Sequence, residues 1–156
     1  MSEQVQTSSS KQLCTFHVSH LFFGVEVTKV QEVLQWLPMT PVPLASRVVR
    51  GLINLRGQIV TVIDLRRRLG LPDAADGESA LNLVVRTDAR VISLLVDQIG
   101  DVLEVEDASF EPAPTTLSPE SRELIQGAFK LDESLVLALN LEKAIDGPAF
   151  RRDGAY

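Results

Sequence analysis

Apolar and polar positions alternate along most of this chain in short runs broken by turn residues, the pattern of strands rather than long helices. Residues 13–18 and 21–27 flank Ser19-His20, and residues 81–85 and 91–96 flank Thr87-Asp88-Ala89. Each pair reads as a hairpin. Two further hairpins are predicted, 49–55 with 59–63 and 125–131 with 135–139. After the first and second hairpins come the helix-capping residue types Thr28 and Asp97. Apolar residues then recur at i, i+3, i+4, as Val30, Val33, Leu34 and as Ile99, Val102, Leu103. This spacing predicts a short helical turn at both places, with Thr28 and Gln31 forming a capping box in the first. Asp64 and Asn140 are cappers of the same kind, ahead of Leu65 with Leu69 and Leu141 with Ile145. Ser118 followed by Pro119 predicts one more helix, over 119–125.

The pattern repeats. FFGVEVTKVQEVL, starting at Phe22, aligns without gaps with VISLLVDQIGDVL, starting at Val91, 69 residues further on. GLINLRGQIVTVIDLRRRL, from Gly51, aligns with GAFKLDESLVLALNLEKAI, from Gly127, 76 residues further on. The extra seven residues fall in the Pro-rich stretch EPAPTTLSPE, whose counterpart LPMTPVPL is also Pro-rich. Two copies of one β-rich unit with Gly/Pro turns predict an all-β fold with short helices, built as small barrels or sandwiches. The units are expected at about 13–71 and 80–146, inside one domain over 12–146 with tails at 1–11 and 147–156.

The duplication acts as an internal control on the turn Asn54-Leu55-Arg56-Gly57. Its counterpart is Lys130-Leu131-Asp132-Glu133. Both must close a hairpin, so only the leucine and the strand pattern are required by the fold. One reading is generic: Gly57 supplies a positive φ and Arg56 is a solvated surface residue. The other is that Asn54, Arg56 and Gly57 serve a partner.

Composition narrows the function classes. The 156 residues are 45% hydrophobic, enough for a buried core without disulfide or metal. Aromatic residues are 5% and the formal net charge is -6, which disfavours nucleic acid and anionic membranes as partners. The single cysteine, Cys14, excludes an intramolecular disulfide and suits a reducing compartment. The polar start MSEQVQTSSSK lacks the apolar core of a signal peptide, and no apolar run is long enough to span a bilayer, so no direct membrane insertion is expected. Nucleotide-binding, zincin and nucleophile-elbow motifs are absent, and no enzyme activity or cofactor is expected. Cys14, His17 and His20 are a weak metal candidate, because on a strand Cys14 and His17 point to opposite faces. Asp97, Asp101, Glu104, Glu106 and Asp107 lack the spacing of a calcium loop and read as a cap plus a solvated edge. Arg66-Arg67-Arg68 reads first as a solvated helix face and second as a docking surface for an acidic partner. Gly51 and Gly127 recur at one place in both copies and are assigned to backbone geometry.

The stretch VVRGLINLRGQIVTVIDLRRRLGL, with VEVTKVQEVL before it and DQIGDVLEVEDASFEPAP after it, resembles the CheW family of chemosensory adaptors over roughly residues 12–146. The resemblance implies two intertwined five-stranded SH3-like β-barrels. It implies a cytoplasmic, non-catalytic adaptor at membrane-associated receptor arrays. Its partners would be the cytoplasmic tip of a chemoreceptor, the regulatory domain of a CheA-type histidine kinase, and other CheW-like domains in rings. Val30 and Glu32 match the family's KVQE segment, and Asn54, Arg56 and Gly57 match its NLRG turn. Glu32 and Arg56 are expected to pair. Val33, Ile99 and Val102 fall where residues lining an apolar groove between the barrels would sit. Ser93 departs from the glycine of many relatives. The segment Trp36-Leu37-Pro38 and the triple arginine vary in the family and are candidates for pathway identity. The rival reading is a β-barrel that binds a small ligand in its interior. Within the adaptor class, a pathway of pili, gliding or diguanylate cyclase control is the alternative to flagellar chemotaxis.

Overall fold

A computed structural model of the chain describes residues 9–75, 81–88 and 90–145. The two expected tails and Ala89 of the second predicted turn lie outside these residues, apart from 9–11 of the N-terminal one, where β1 already begins at Ser10.

The first half supplies five strands: β1 (Ser10–Val18), β2 (Leu21–Glu26), β3 (Val30–Gln35), β4 (Val49–Leu55) and β5 (Gln58–Asp64). The short helix α1 (Leu65–Arg68) follows. The second half supplies β6 (Leu81–Arg86), β7 (Val91–Val96), β8 (Gln98–Glu106), the two-residue β9 (Phe110–Glu111), helix α2 (Pro119–Leu124), β10 (Ile125–Lys130), β11 (Leu135–Leu139) and helix α3 (Leu141–Ile145). The predicted cappers act on three helices. Asp64 accepts from the Arg67 N–H, Ser118 from the Ser121 N–H, and Asn140 from the Lys143 N–H.

The halves are interwoven. One sheet has the order β8-β1-β2-β11-β10-β9, the other β3-β6-β7-β5-β4. Each takes the first hairpin of one half and flanks it with the third strand and last hairpin of the other. Exchanging the halves converts one order into the other. The missing equivalent of β9 is a single bridge between Thr40 and Leu52. Each sheet is stitched by one parallel pair, β2 with β11 and β5 with β7.

This plan gives three apolar clusters. A shared core joins both sheets through Phe16, Phe23, Ile63, Leu83, Ile92 and Leu94. A second lies within the five-stranded sheet around Ile53, Val60, Val62 and Val84, and a third within the six-stranded sheet around Leu13, Val105, Phe129 and Val136. Gly51 and Gly127 owe their place to crossing chains. A Cβ on Gly51 would meet the Thr40 carbonyl at 2.7 Å, and one on Gly127 the Phe110 ring at 2.3 Å.

The predicted helical turns at Val30–Leu34 and Ile99–Leu103 are strands. Ahead of the first, residues 27–29 form a 3₁₀ turn; Glu26, and not Thr28, stands at its N-cap position, without a side-chain bond. Both strands carry a bulge at the same place: β3 between its pairings of Val30 with Val85 and Glu32 with Val84, and β8 opposite Thr15. A bulge inserts one residue and resets the two-residue alternation. The apolar positions on either side of it then fall at spacings that imitate a helix.

Candidate functional site

The turn between β4 and β5 has two central residues, Arg56 and Gly57, closed by the Leu55–Gln58 pair. Both have positive φ, 52° and 87°, the pattern of a type I′ hairpin turn. Glycine accepts this conformation freely, whereas arginine is strained there. Asn54 braces the turn: its Oδ1 accepts the Gly57 N–H at 2.8 Å. The structure therefore gives Asn54 an internal partner.

Arg56 forms a hydrogen-bonded ion pair with Glu32. Glu32 lies on β3 and Arg56 follows β4, and these strands are the opposite edges of the five-stranded sheet. The pair thus joins two edges that share no ladder. The guanidinium side chain remains 67% exposed, the carboxylate 22%. In the second half the equivalent positions are Asp101 and Asp132, two acids that cannot form such a pair.

The apolar candidates lie on edge strands of two sheets. Val30 and Val33 are on β3, Ile99 and Val102 on β8. Val30 and Ile99 are half-buried and pack against the shared core. Val33 and Val102 are 42% and 54% exposed, and they occupy equivalent places in the duplication. The sequence reading passed over Ile59, which is exposed and pairs with Asn54 beside the turn. Strict alternation with the buried Val60 and Val62 was the signal for it.

The triple arginine is neither a solvated face nor a free docking surface. Arg66 grips Asp97 with two bonds, 3.0 Å from Nε and 2.7 Å from an Nη. Arg67 bonds Asp73 and the Arg47 carbonyl, and Arg68 bonds the Lys143 carbonyl at the end of α3. The helix is short, so its basic run is consumed in tying loops and α3 to the sheets. Asp97 is a joint between halves in place of a cap, since it also accepts the Ser19 N–H at 2.6 Å. Burial pushes its carboxyl up, but Arg66 and the Ser19 N–H outweigh this and hold it below the usual aspartate range. The Arg67 guanidinium lowers Asp73 in the same way.

Cys14 is buried, which pushes its thiol up, and His17 stacks on Phe22 at 4.6 Å. Among the described residues no three His, Cys, Asp or Glu side chains are grouped to hold a metal, and no helix is long and apolar enough to cross a membrane.

One cleft of about 400 Å³ opens in the six-stranded sheet. It lies where β2 and β11 part after only two paired positions; β5 and β7 keep four. Leu13, Val25, Phe110 and Phe129 are among its apolar lining, and Lys11, Lys29, Glu26, Asp107 and Glu142 among its polar lining. None of the partner-binding candidates named from the sequence lines it; Asp107 of the acidic stretch does.

Comparison with known proteins gives one consistent family. The family model described as "CheW-like domain" matches residues 12–148. The chain is 31% identical to "Chemotaxis protein CheW" of Rhizobium meliloti over 149 residues, 96% of this chain and 95% of that one. It is 26% identical to the protein of the same description in Bacillus subtilis, over 94% and 92% of the two chains. In fold it is similar to the scaffolding protein TtCheW from Thermoanaerobacter tengcongensis, with a TM-score of 0.81 and 24% identity over 93% of this chain and 99% of that one.

Proposed function

The chain belongs to the CheW-like domain family, and from that premise we propose that it is a non-enzymatic adaptor of a bacterial chemosensory complex. It couples methyl-accepting chemoreceptors to a CheA-type histidine kinase in the cytoplasm, at receptor arrays. Two interfaces on one rigid body raise the effective concentration of kinase at the receptor. The receptor tip, an amphipathic helical hairpin, lies along the apolar residues Val30, Val33, Ile99 and Val102 in the helix-in-groove mode. Arg56 fixes its orientation. Because the halves are similar, head-to-tail contacts with a CheW-like kinase domain close into rings.

The observation that carries this reading is the Glu32–Arg56 pair. It holds an exposed guanidinium on a left-handed turn that the other half of the chain does without. An exposed pair adds only about 0.2–1 kcal/mol to stability, so folding alone does not account for it. Arg56→Ala should denature within about 1 kcal/mol of wild type. It should lose receptor-tip binding in calorimetry and kinase activation in reconstituted arrays. Full binding and full activation by that variant would reduce the turn to a turn. The small-ligand alternative rests on the cleft of the six-stranded sheet, whose charged groups are of both signs and match no single ligand charge.

A further inference from the structure

Among the buried points at which the halves differ inside their equivalent sheets, one faces the end of β3. In the six-stranded sheet Leu13 lies over Gly24, where an added Cβ would come within 2.9 Å of the leucine Cδ1 and 2.8 Å of Val136. Leucine and glycine there form one apolar unit. The positions 69 residues on are Asn82 and Ser93, both fully buried. Ser93 Oγ donates to Asn82 Oδ1 at 2.7 Å, and Asn82 Nδ2 donates to the Gln35 carbonyl at 3.2 Å. A buried amide is costly unless bonded, and here both of its ends are.

Gln35 is the last residue of β3, and there the halves part. In the second half β8 runs on to Glu106 and buries Val105 in the third cluster. In the first half β3 stops. Trp36, 69 residues before Val105 and just past the aligned segment, is 52% exposed, while Leu37 and Met39 turn in to pack on the second cluster. β3 is an edge strand with β6 as its one ladder partner, so the Asn82 bond is an additional hold on its end.

We infer that Asn82, oriented by Ser93, is a positioning residue for the partner-binding edge: by holding the Gln35 carbonyl it ends β3 there and turns Trp36 outward next to Glu32 and Val33 in the chain. The inference rests on the proposed role of β3 in partner binding. The fold can be built with the apolar pair, as the other half demonstrates, so the polar pair serves placement of the strand end and not folding. Trp36 then contributes to receptor-tip binding, as tryptophans at interfaces commonly do.

The test copies one half into the other. The double variant Asn82→Leu/Ser93→Gly recreates the Leu13–Gly24 pair and avoids the clash that Asn82→Leu alone would have with the Ser93 Cβ. It should melt at or above the wild-type temperature. Trp36 is the single tryptophan of the chain, so its fluorescence reports on the strand end without any partner. Acrylamide quenching of Trp36 should change at least twofold, and amide exchange at Gln35 and Trp36 should quicken at least tenfold. Ser93→Ala, which frees the Asn82 amide to turn, should move both readouts in the same direction by less. Unaltered quenching and exchange in the folded double variant would overturn the positioning role. Receptor-tip affinity, measured separately, should fall three- to tenfold. If Trp36 shifts while affinity for every tip stays unchanged, the positioning stands and the partner-binding reading of β3 fails.

Discussion

The hairpins β4–β5 and β10–β11 occupy equivalent places in the duplicated chain and turn with the same number of residues. In the second, the Leu131 N–H bonds the Ser134 carbonyl at 2.9 Å across Asp132-Glu133, as Leu55 and Gln58 bracket Arg56-Gly57 in the first. Among the described non-glycine residues only Ser19, Leu44 and Arg56 have positive φ, so Asp132 and Glu133 close their hairpin with ordinary backbone. A two-residue connection at this place therefore does not demand left-handed residues. The first hairpin accepts strain at Arg56 that the second avoids, and strain of about 1–3 kcal/mol persists only where the surroundings impose it. Here they do, through the Asn54 brace and the Glu32 carboxylate. The comparison separates what the fold requires, an inward leucine and a tight turn, from what one copy adds, an oriented cation at the meeting of two sheet edges.

The largest expected effect tests whether the apolar strip needs both halves. Val33 and Val102 are equivalent, exposed and on edge strands. Val33→Asp places a charge against an apolar helix, a penalty of several kcal/mol, and should weaken receptor-tip binding more than about 100-fold with the fold intact. Val102→Asp should do the same if the helix lies across both sheets. Calorimetry that finds Val102→Asp silent and Val33→Asp severe would confine the site to the first half.

Next in size is the joint that replaces a cap. Thr28 has no counterpart to the Arg66 and Ser19 bonds of Asp97. Asp97→Asn should cost about 1.5–3 kcal/mol at neutral pH, whereas Thr28→Ala should cost little. The folded carboxyl lies below its unfolded value, so its contribution is complete above about pH 3.9 and disappears as the pH falls through the lower folded value. Urea denaturation of wild type and Asp97→Asn should accordingly converge in acid. A gap that stays constant down to pH 2 would place the energy elsewhere than in the charge.

Asp97 also illustrates what was legible beforehand. The hairpins, the duplication and the caps at Asp64, Ser118 and Asn140 could be read from residue types and spacing, whereas the Glu32–Arg56 pair and the interweaving came from the family resemblance alone. The third strands could not. A bulged edge strand and a helical turn leave the same i, i+3, i+4 trace, and only the sheet pairing distinguishes them. Nor could the arginines of α1, because their acceptors are distant in sequence: Arg66 reaches Asp97 and Arg68 reaches Lys143. The Asn82–Ser93 bond was hidden for another reason. Its signal, a polar pair at two positions that are Leu and Gly in the other copy, is informative only once both copies are known to be buried there.

A smaller effect addresses the backbone of the turn alone. Nothing lies within 4 Å of a Cβ built on Gly57, so Gly57→Ala suffers no clash, but its φ of 87° disfavours any side chain. The expected loss is about 1–2 kcal/mol. Glu133→Ala, at the equivalent position with ordinary backbone, should fall within about 0.5 kcal/mol of wild type. Equal losses in denaturant unfolding would mean that the two turns do not differ as their dihedral angles say.

The smallest expected effect on stability is the most informative about function. Asparagine tolerates left-handed backbone far better than arginine, and Asn-Gly is a favoured pair for a type I′ turn. Arg56→Asn should relieve part of the strain, about 1 kcal/mol or less, while losing the Glu32 pair, about 0.2–1 kcal/mol. The two terms oppose each other, so its unfolding midpoint should sit at or slightly above that of wild type. Receptor coupling should nevertheless be lost, because the turn is kept and the cation is gone. Combining it with Glu32→Gln in a double-mutant cycle should show non-additive losses in receptor binding, since a carboxylate that orients a guanidinium has nothing to orient once that guanidinium is removed. Additive losses would make Glu32 and Arg56 two separate contacts. Retained coupling by Arg56→Asn would show that the receptor reads the shape of this hairpin and not its charge, and the difference between the two copies would then lie in the backbone alone.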